Sequence, residues 1–190
     1  MATSFLNYER MNFNQIIEKK LIPFFDKYNI NIVENKNNYL KFQSIDVVII
    51  LTYNQLEYRS TLWLGKNNNE ADKIEIDDFI IISFFKSDFK LNFASIEIFT
   101  DNLILFFAKD AEKILVGDTK ILEDLIEFAS ARNKRYTEDL LKYQNLIELD
   151  KDWEIKNYKA FIKTIGKLNL NELPKSYMLK YKIALHNSDK

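Results

Sequence analysis

The stretch YLKFQSIDVVIILTYNQLEYRSTLWLG, residues 39–65, decides the fold of this chain. Apolar and polar residues alternate along residues 39–44 with a period of two, which is the pattern of a β-strand with one buried face. Residues 46–53 are rich in β-branched side chains, and a short polar link at residues 54–55 separates them from a second alternating run at 57–65. These features predict three strands joined by short turns.

The sequence INIVEN, residues 30–35, precedes this stretch and also alternates with a period of two. A short polar run separates it from the strand at residues 39–44, which is typical of a β-hairpin. Four antiparallel strands in a meander are the simplest arrangement of these segments.

The two faces of the predicted sheet differ in side-chain type. Leu62 and Leu64 have one parity along the last strand and Trp63 has the other, so they lie on opposite faces. By the same alternation we expect the open face to carry Trp63 with Glu57 and Arg59. An aromatic residue beside an arginine is typical of binding hot spots, so this face is the expected partner site. Burial of Trp63 in the core is the alternative.

An amphipathic helix is predicted before the sheet. In NFNQIIEKKLIPFFDKY, residues 12–28, apolar side chains recur at spacings of three and four. Pro23 lies inside this run. Because proline lacks a backbone donor and clashes with the preceding turn, we expect a kink there or a break near Ile22.

Two apolar segments after the sheet are compatible with more than one structure. Residues 66–73 form a predicted polar loop, and Asp77 is a candidate N-cap for the segment that follows. FIIISFF, residues 79–85, has the composition of a strand but the position and acidic first turn of a short helix. Residues 94–116 fit a helix, with a tight hairpin as the alternative.

A long helix is predicted next, from the residues after Gly117 to Tyr143, capped by Asp118 or Thr119 and either continuous or broken at residues 132–135. That stretch carries three basic residues beside an aromatic one, a combination that can bind phosphate. Neighbouring acidic residues offset this charge, so we expect no contact with nucleic acid. The basic residues are Arg132, Lys134 and Arg135, and the aromatic residue is Tyr136.

The chain ends in two further predicted amphipathic helices. They cover residues 152–168 and 173–185, with Pro174 in the first turn of the second. A short linker would pack them as a helical hairpin. Such a pair can expose part of an apolar stripe, and this favours a scaffold or adaptor protein as the alternative function.

We predict a single α+β domain over residues 1–190, with a helix and sheet portion at 12–92 and a helical portion at 93–190. No long run rich in Gly, Pro or Ser separates the two portions. Hydrophobic residues make up 47% of the 190 residues and charged residues 29%, which is enough apolar material for a true core.

Composition excludes several classes of protein. The chain has 27 basic and 28 acidic residues and a formal charge of −1, so no general electrostatic attraction to nucleic acid is expected. The absence of cysteine is compatible with a reducing compartment. The N-terminal sequence lacks the pattern of a secretory signal, and every apolar run is far shorter than the ~20 residues that cross a bilayer. We therefore expect a cytoplasmic protein that does not enter a membrane.

The usual catalytic motifs are missing from the sequence. His186 is the only histidine, it lies near the C-terminus, and there is no cysteine with which it could pair. The three glycines, at 65, 117 and 166, are too far apart for a phosphate-binding loop. We therefore predict a protein that is not an enzyme and that needs no cofactor and no metal.

One acidic segment allows three interpretations. The segment fits a solvated loop that leads into a helix, a docking surface for a basic partner, or a site for a hard divalent cation. The spacing does not match a calcium loop, which needs a glycine and a terminal glutamate at fixed offsets. The acidic residues are Glu70, Asp72, Glu75, Asp77 and Asp78.

The order of these segments resembles a group of small bacterial proteins proposed to be immunity proteins of polymorphic or contact-dependent toxin systems. The likeness lies in LIPFFDKYNI (21–30), in the strand stretch at 39–65, in ILVGD (114–118) and in the helical end at 152–185. It implies a protein that binds a cognate toxin and neutralises it. Because the likeness is one of patterning, it carries no site residues with it.

We accordingly predict a cytoplasmic, non-catalytic binding protein with a protein partner. The residues expected to contact that partner come from the last predicted strand and from the acidic segment. They are Glu57, Arg59, Trp63, Glu70, Asp72, Glu75, Asp77 and Asp78.

Overall fold

The structure is a computed structural model that describes residues 12–67, 72–91 and 95–188. In this part of the chain an N-terminal helix is followed by an antiparallel sheet and then by a helical C-terminal half. The predicted α+β class is confirmed. The chain divides into two compact units, one that ends at Ser130 and one that begins at Ala131. The single domain predicted for residues 1–190 stays a prediction.

The sheet is a meander in which five described strands follow one another in chain order. The strands are β1 (Asn31–Lys36), β2 (Tyr39–Gln43), β3 (Val47–Asn54), β4 (Arg59–Lys66) and β5 (Ile74–Ile76). All four predicted strands are present, and β5 is an addition to them. It forms because Ile74 and Ile76 alternate with Glu75, and the two isoleucines pair with Leu64 and Leu62 of β4.

Helix α1 (Phe13–Phe25) packs against one face of the sheet. Its N-terminus is closed by a capping box, in which the Asn12 side chain accepts a hydrogen bond from the Gln15 backbone N–H and the Gln15 side chain accepts one from Asn12. The Phe25 ring meets the Phe42 ring of β2 edge to face, with 5.0 Å between centroids. This contact ties the end of α1 to the core side of the sheet.

The break predicted near Ile22 is wrong, because α1 continues through Pro23 to Phe25. The helix then tightens into a 3-10 turn and ends at Asn29, whose φ of 54° is left-handed. Near a helix end, proline removes only one backbone donor, and the Asp26 N–H still reaches the Ile22 carbonyl. The loss of backbone hydrogen bonding is therefore confined to Pro23.

Both apolar segments for which the sequence left two alternatives form helices. Residues 79–85 contribute to α2 (Asp78–Ser83), and the Asp77 carboxylate caps it by accepting a hydrogen bond from the Ile80 N–H at 2.8 Å. The prediction of Asp77 as an N-cap is confirmed. The apolar side chains of the next segment recur at helical spacing, and the hairpin alternative there is wrong. That segment forms α3 (Ile96–Lys109) and α4 (Glu112–Leu115).

Helix α5 (Thr119–Glu154) is 36 residues long and is capped by Asp118, whose carboxylate accepts from the Lys120 N–H at 3.1 Å. Of the two predicted alternatives, a helix continuous through 132–135 is confirmed and a break there is wrong. Neither Gly nor Pro occurs between Thr119 and Glu154, so no residue of α5 breaks the ladder of hydrogen bonds. At 1.5 Å per residue the helix spans about 54 Å.

Two shorter helices complete the chain, α6 (Tyr158–Ile165) and α7 (Lys175–Ser188). The predicted start of the first at residue 152 is wrong, because residues 152–154 belong to α5. Pro174 stands just before α7, and its carbonyl accepts a hydrogen bond from the Tyr177 N–H at 3.0 Å. Across the described residues, every helix is too short or too polar to cross a bilayer.

Candidate functional site

The sheet face opposite α1 is the candidate functional site, and we call it the open face. Leu62 is 1% exposed and packs with Leu64 in the core, whereas Trp63 is half-buried on the other side of β4. The predicted parity is confirmed for these three residues. The residues of the open face that matter here are Tyr39, Lys41, Ile50, Thr52, Arg59, Thr61, Trp63 and Glu75.

Strand register brings these side chains together around Trp63. Ile50 of β3 lies opposite Trp63 on one side, and Glu75 of β5 lies opposite it on the other. Together with Tyr39 and Arg59 they line a groove of about 470 Å³. Ile50 is only 8% exposed, so the groove has an apolar floor under a rim of polar and aromatic side chains.

Two short contacts hold the rim in place. The Arg59 guanidinium Nη2 lies 2.6 Å from Glu75 Oε1, which forms an ion pair between β4 and β5. The hydroxyls of Thr52 and Thr61 are 2.5 Å apart across β3 and β4. Because each contact joins neighbouring strands, side chains on the open face are ordered before any partner arrives.

The β1 and β2 side of the open face carries a network of charges. Burial, and then the nearby Glu34 carboxylate, raises the pKa of the Tyr39 hydroxyl, so this phenol stays protonated and donates to Glu34. A hydrogen bond from Lys36 is the main reason why the pKa of Glu34 is lowered. Burial and the neighbouring Lys41 lower the pKa of Lys73. Charges of both signs therefore border the groove.

The turn between β3 and β4 projects beyond one end of the groove. Leu56 is 93% exposed and Tyr58 is 69% exposed. The Asn54 carboxamide oxygen accepts hydrogen bonds from the N–H groups of Leu56 at 3.0 Å and Glu57 at 3.4 Å. Asn54 and Glu57 also line the groove, so the apolar turn and the groove form a continuous surface.

Four of the predicted contact residues meet in the groove: Glu57, Arg59, Trp63 and Glu75. The sequence pattern missed the residues that β2 and β3 contribute. Once Trp63 is placed on the open face, alternation along β3 and the antiparallel register would identify them. These additional residues are Tyr39, Ile50, Thr52 and Asn54, and Thr61 of β4 also lines the groove, on the face that alternation along β4 gives it.

The described residues in the rest of the acidic segment, Asp72, Asp77 and Asp78, do not line the groove. Glu70 lies outside the described residues, and the backbone of Asp72 runs against Gly65 of β4. Asp77 caps α2, while Asp78 accepts a hydrogen bond from the Leu91 N–H at 3.3 Å. A partner role for these carboxylates stays a prediction. Over the ranges that the structure describes, no three Asp, Glu or His side chains converge as metal ligands.

The second unit contains a polar contact between α5 and α7. The Tyr177 hydroxyl donates to Asp150 Oδ2 at 2.7 Å, and Lys180 Nζ lies 2.8 Å from Asp150 Oδ1. Burial, and then the hydrogen bond to Asp150, raises the pKa of Tyr177 to about 12. On α7, Leu179 is 61% exposed and Ile183 is 40% exposed, one helical turn apart.

The other residues that drew notice in the sequence lie on helices. The basic residues Lys134 and Arg135 are exposed in the middle of α5, and His186 is exposed in the last turn of α7. Comparison of the chain with family models, with curated proteins and with solved structures finds no match.

Proposed function

We propose that this chain is a non-catalytic binding protein of the cytoplasm, which neutralises a cognate bacterial toxin by direct contact through the open face. The observation that carries the proposal is the groove around Trp63. There an indole, a phenol and an arginine ion pair surround an apolar floor, within one ordered sheet face.

The chemistry of the groove favours a protein as the ligand. Trp, Tyr and Arg dominate the energetics of protein interfaces, because they bury a large area and still offer polar contacts. The Thr52–Thr61 contact and the Arg59–Glu75 ion pair restrict the rim side chains, which lowers the entropy that binding would lose. The sequence likeness to immunity proteins supports a toxin as that partner.

Co-expression with the product of the adjacent gene tests the proposal. We expect the two proteins to co-purify and the chain to protect a host that this product would otherwise kill. Trp63→Ala should weaken both effects, whereas Lys134→Ala, an exposed residue on α5, should leave them unchanged. Failure to bind together with failure to protect would contradict the proposal.

A scaffold or adaptor is the second candidate function, and the exposed leucine and isoleucine of α7 favour it. Leu179 and Ile183 lie one turn apart, as do the contact residues of a helix that docks on another helix. In this case the chain would self-associate or bind an amphipathic helix. Sedimentation of the wild type and of Leu179→Ser/Ile183→Ser separates the two functions. Identical monomeric behaviour would remove self-association.

A further inference from the structure

The β3–β4 turn, residues 55–58, exposes two large apolar side chains that the core does not use. Leu56 and Tyr58 are 93% and 69% exposed. Glu57 lies between them and carries the one carboxylate of the turn. A turn needs no apolar residue to fold, and tyrosine is enriched among interface hot spots.

The turn is also held in a fixed shape. The Asn54 side chain accepts from two successive N–H groups, which fixes the backbone under Leu56. Tyr58 has a φ of 50°, a left-handed conformation that is costly for a bulky side chain. At Asn29 and Asn38, on either side of β1, the chain meets the same requirement with asparagine, and at Lys86 and Lys156 it does so with lysine. The positive φ alone therefore assigns no role to Tyr58, and its exposure beside Leu56 in a turn of fixed shape is the observation that favours binding.

Shape and charge define the kind of surface that would receive this turn. A two-stranded projection with apolar side chains at its end complements a concave site. The exposed Glu57 carboxylate leaves the turn negatively charged, because the neighbouring Arg59 is engaged with Glu75. Oppositely charged groups across an interface speed encounter and fix register. The receiving site is therefore expected to be apolar inside and basic at its rim.

We propose that residues 55–58 insert into an apolar cleft of the partner protein, with Leu56 and Tyr58 inside it and a basic residue of the rim facing Glu57. This inference rests on the proposed function, since it names the part of the binding surface that enters the partner. The groove around Trp63 then contacts the outside of the cleft.

The purified product of the adjacent gene is the probe, titrated by calorimetry with the full chain. Leu56→Ser and Tyr58→Gly should each weaken binding by about 10-fold or more. Glycine tolerates a positive φ, so Tyr58→Gly should keep the thermal midpoint within about 2 °C of the wild type. Glu57→Lys should slow association, and more so at low salt.

Ile45→Ser is the matched control. Ile45 is 88% exposed in the β2–β3 turn, at the opposite end of β3, and its substitution should change affinity by less than about 3-fold. If wild type binds and both turn variants bind equally well, the inference is wrong and the proposed function stands. Equal losses in Ile45→Ser and in the turn variants would also overturn it. If wild type does not bind the probe, the proposed function fails, and the inference fails with it.

Discussion

Leu62 and Trp63 are neighbours on β4 whose side chains lie on opposite faces of the sheet. Leu62 is packed into the core that α1 covers, while Trp63 is half-buried beside the Arg59–Glu75 ion pair. Since one strand carries both, substituting each residue in turn tests the proposal that Leu62 serves folding and Trp63 serves binding.

Trp63→Ala should lower the affinity for the partner by about 2 kcal/mol or more and cost less than that in free energy of unfolding. Leu62→Ala is the control on the other face. Its cost should be about 2–5 kcal/mol of folding free energy, because a cavity remains in a core that can collapse only in part. Chemical denaturation measures the free energy of unfolding of both variants. A loss at Trp63 as large as that at Leu62 would assign Trp63 to the core.

The Arg59–Glu75 ion pair is predicted to order the groove without contributing much to stability. The two side chains are partly exposed, and the coupling free energy of such pairs is about 0.2–1 kcal/mol. A double-mutant cycle with Arg59→Met and Glu75→Gln should give a value in that range, and it should decrease in high salt. A coupling of several kcal/mol would indicate that the pair supports the sheet itself.

Position 117 favours glycine for two reasons, its left-handed backbone conformation and the closeness of the Asp46 side chain. Its φ is 87°, and an added Cβ would lie 2.8 Å from the Asp46 Oδ2 atom. Gly117→Ala should therefore lower the free energy of unfolding by about 1–2 kcal/mol. In an Asp46→Ala background the contact is gone and only the backbone cost remains, so the loss should be smaller. Equal losses in both backgrounds would show that Asp46 moves aside freely.

The period of the apolar pattern was sufficient to predict the sheet and its two faces, because side chains on a strand must alternate. It did not predict β5. Three residues are too few to show a period, and what makes Ile74 and Ile76 a strand is their pairing with β4. For the long helix α5 the sequence left a break at 132–135 open, since charged residues there hide the apolar period.

The groove was predicted only in part, for a related reason. Arg59 and Trp63 lie on one strand, so parity alone places them on a common face, whereas Glu57 precedes that strand in the β3–β4 turn. Tyr39 and Ile50 lie on other strands, and their proximity to Trp63 depends on register. The left-handed conformation of Tyr58 has no signal in the sequence, because residues at such positions are usually Gly or Asn.

The contact of Tyr177 with Asp150 makes the stability of the second unit depend on pH at both extremes. Hydrogen bonds from Lys180 and then from Tyr177 lower the pKa of Asp150, so its contribution is present above the ordinary pKa of 3.8 and is lost as the pH falls below it. For Tyr177 the stabilising contribution depends on pH in the opposite direction. Its pKa is raised from 10.0 to about 12, so its contribution is complete below pH 10.

Tyr177→Phe should therefore be less stable than the wild type at neutral pH, by about 1 kcal/mol for the lost hydrogen bond. The difference between the two proteins should shrink as the pH rises from 10 to about 12, because the wild-type phenol then ionises beside a carboxylate. Denaturation at a series of pH values measures the difference. Ultraviolet titration provides the control, since Asp150→Asn removes the charge that helps to hold the pKa up, and the Tyr177 transition should move to lower pH. A stability difference that stays constant up to pH 12 would contradict the assignment.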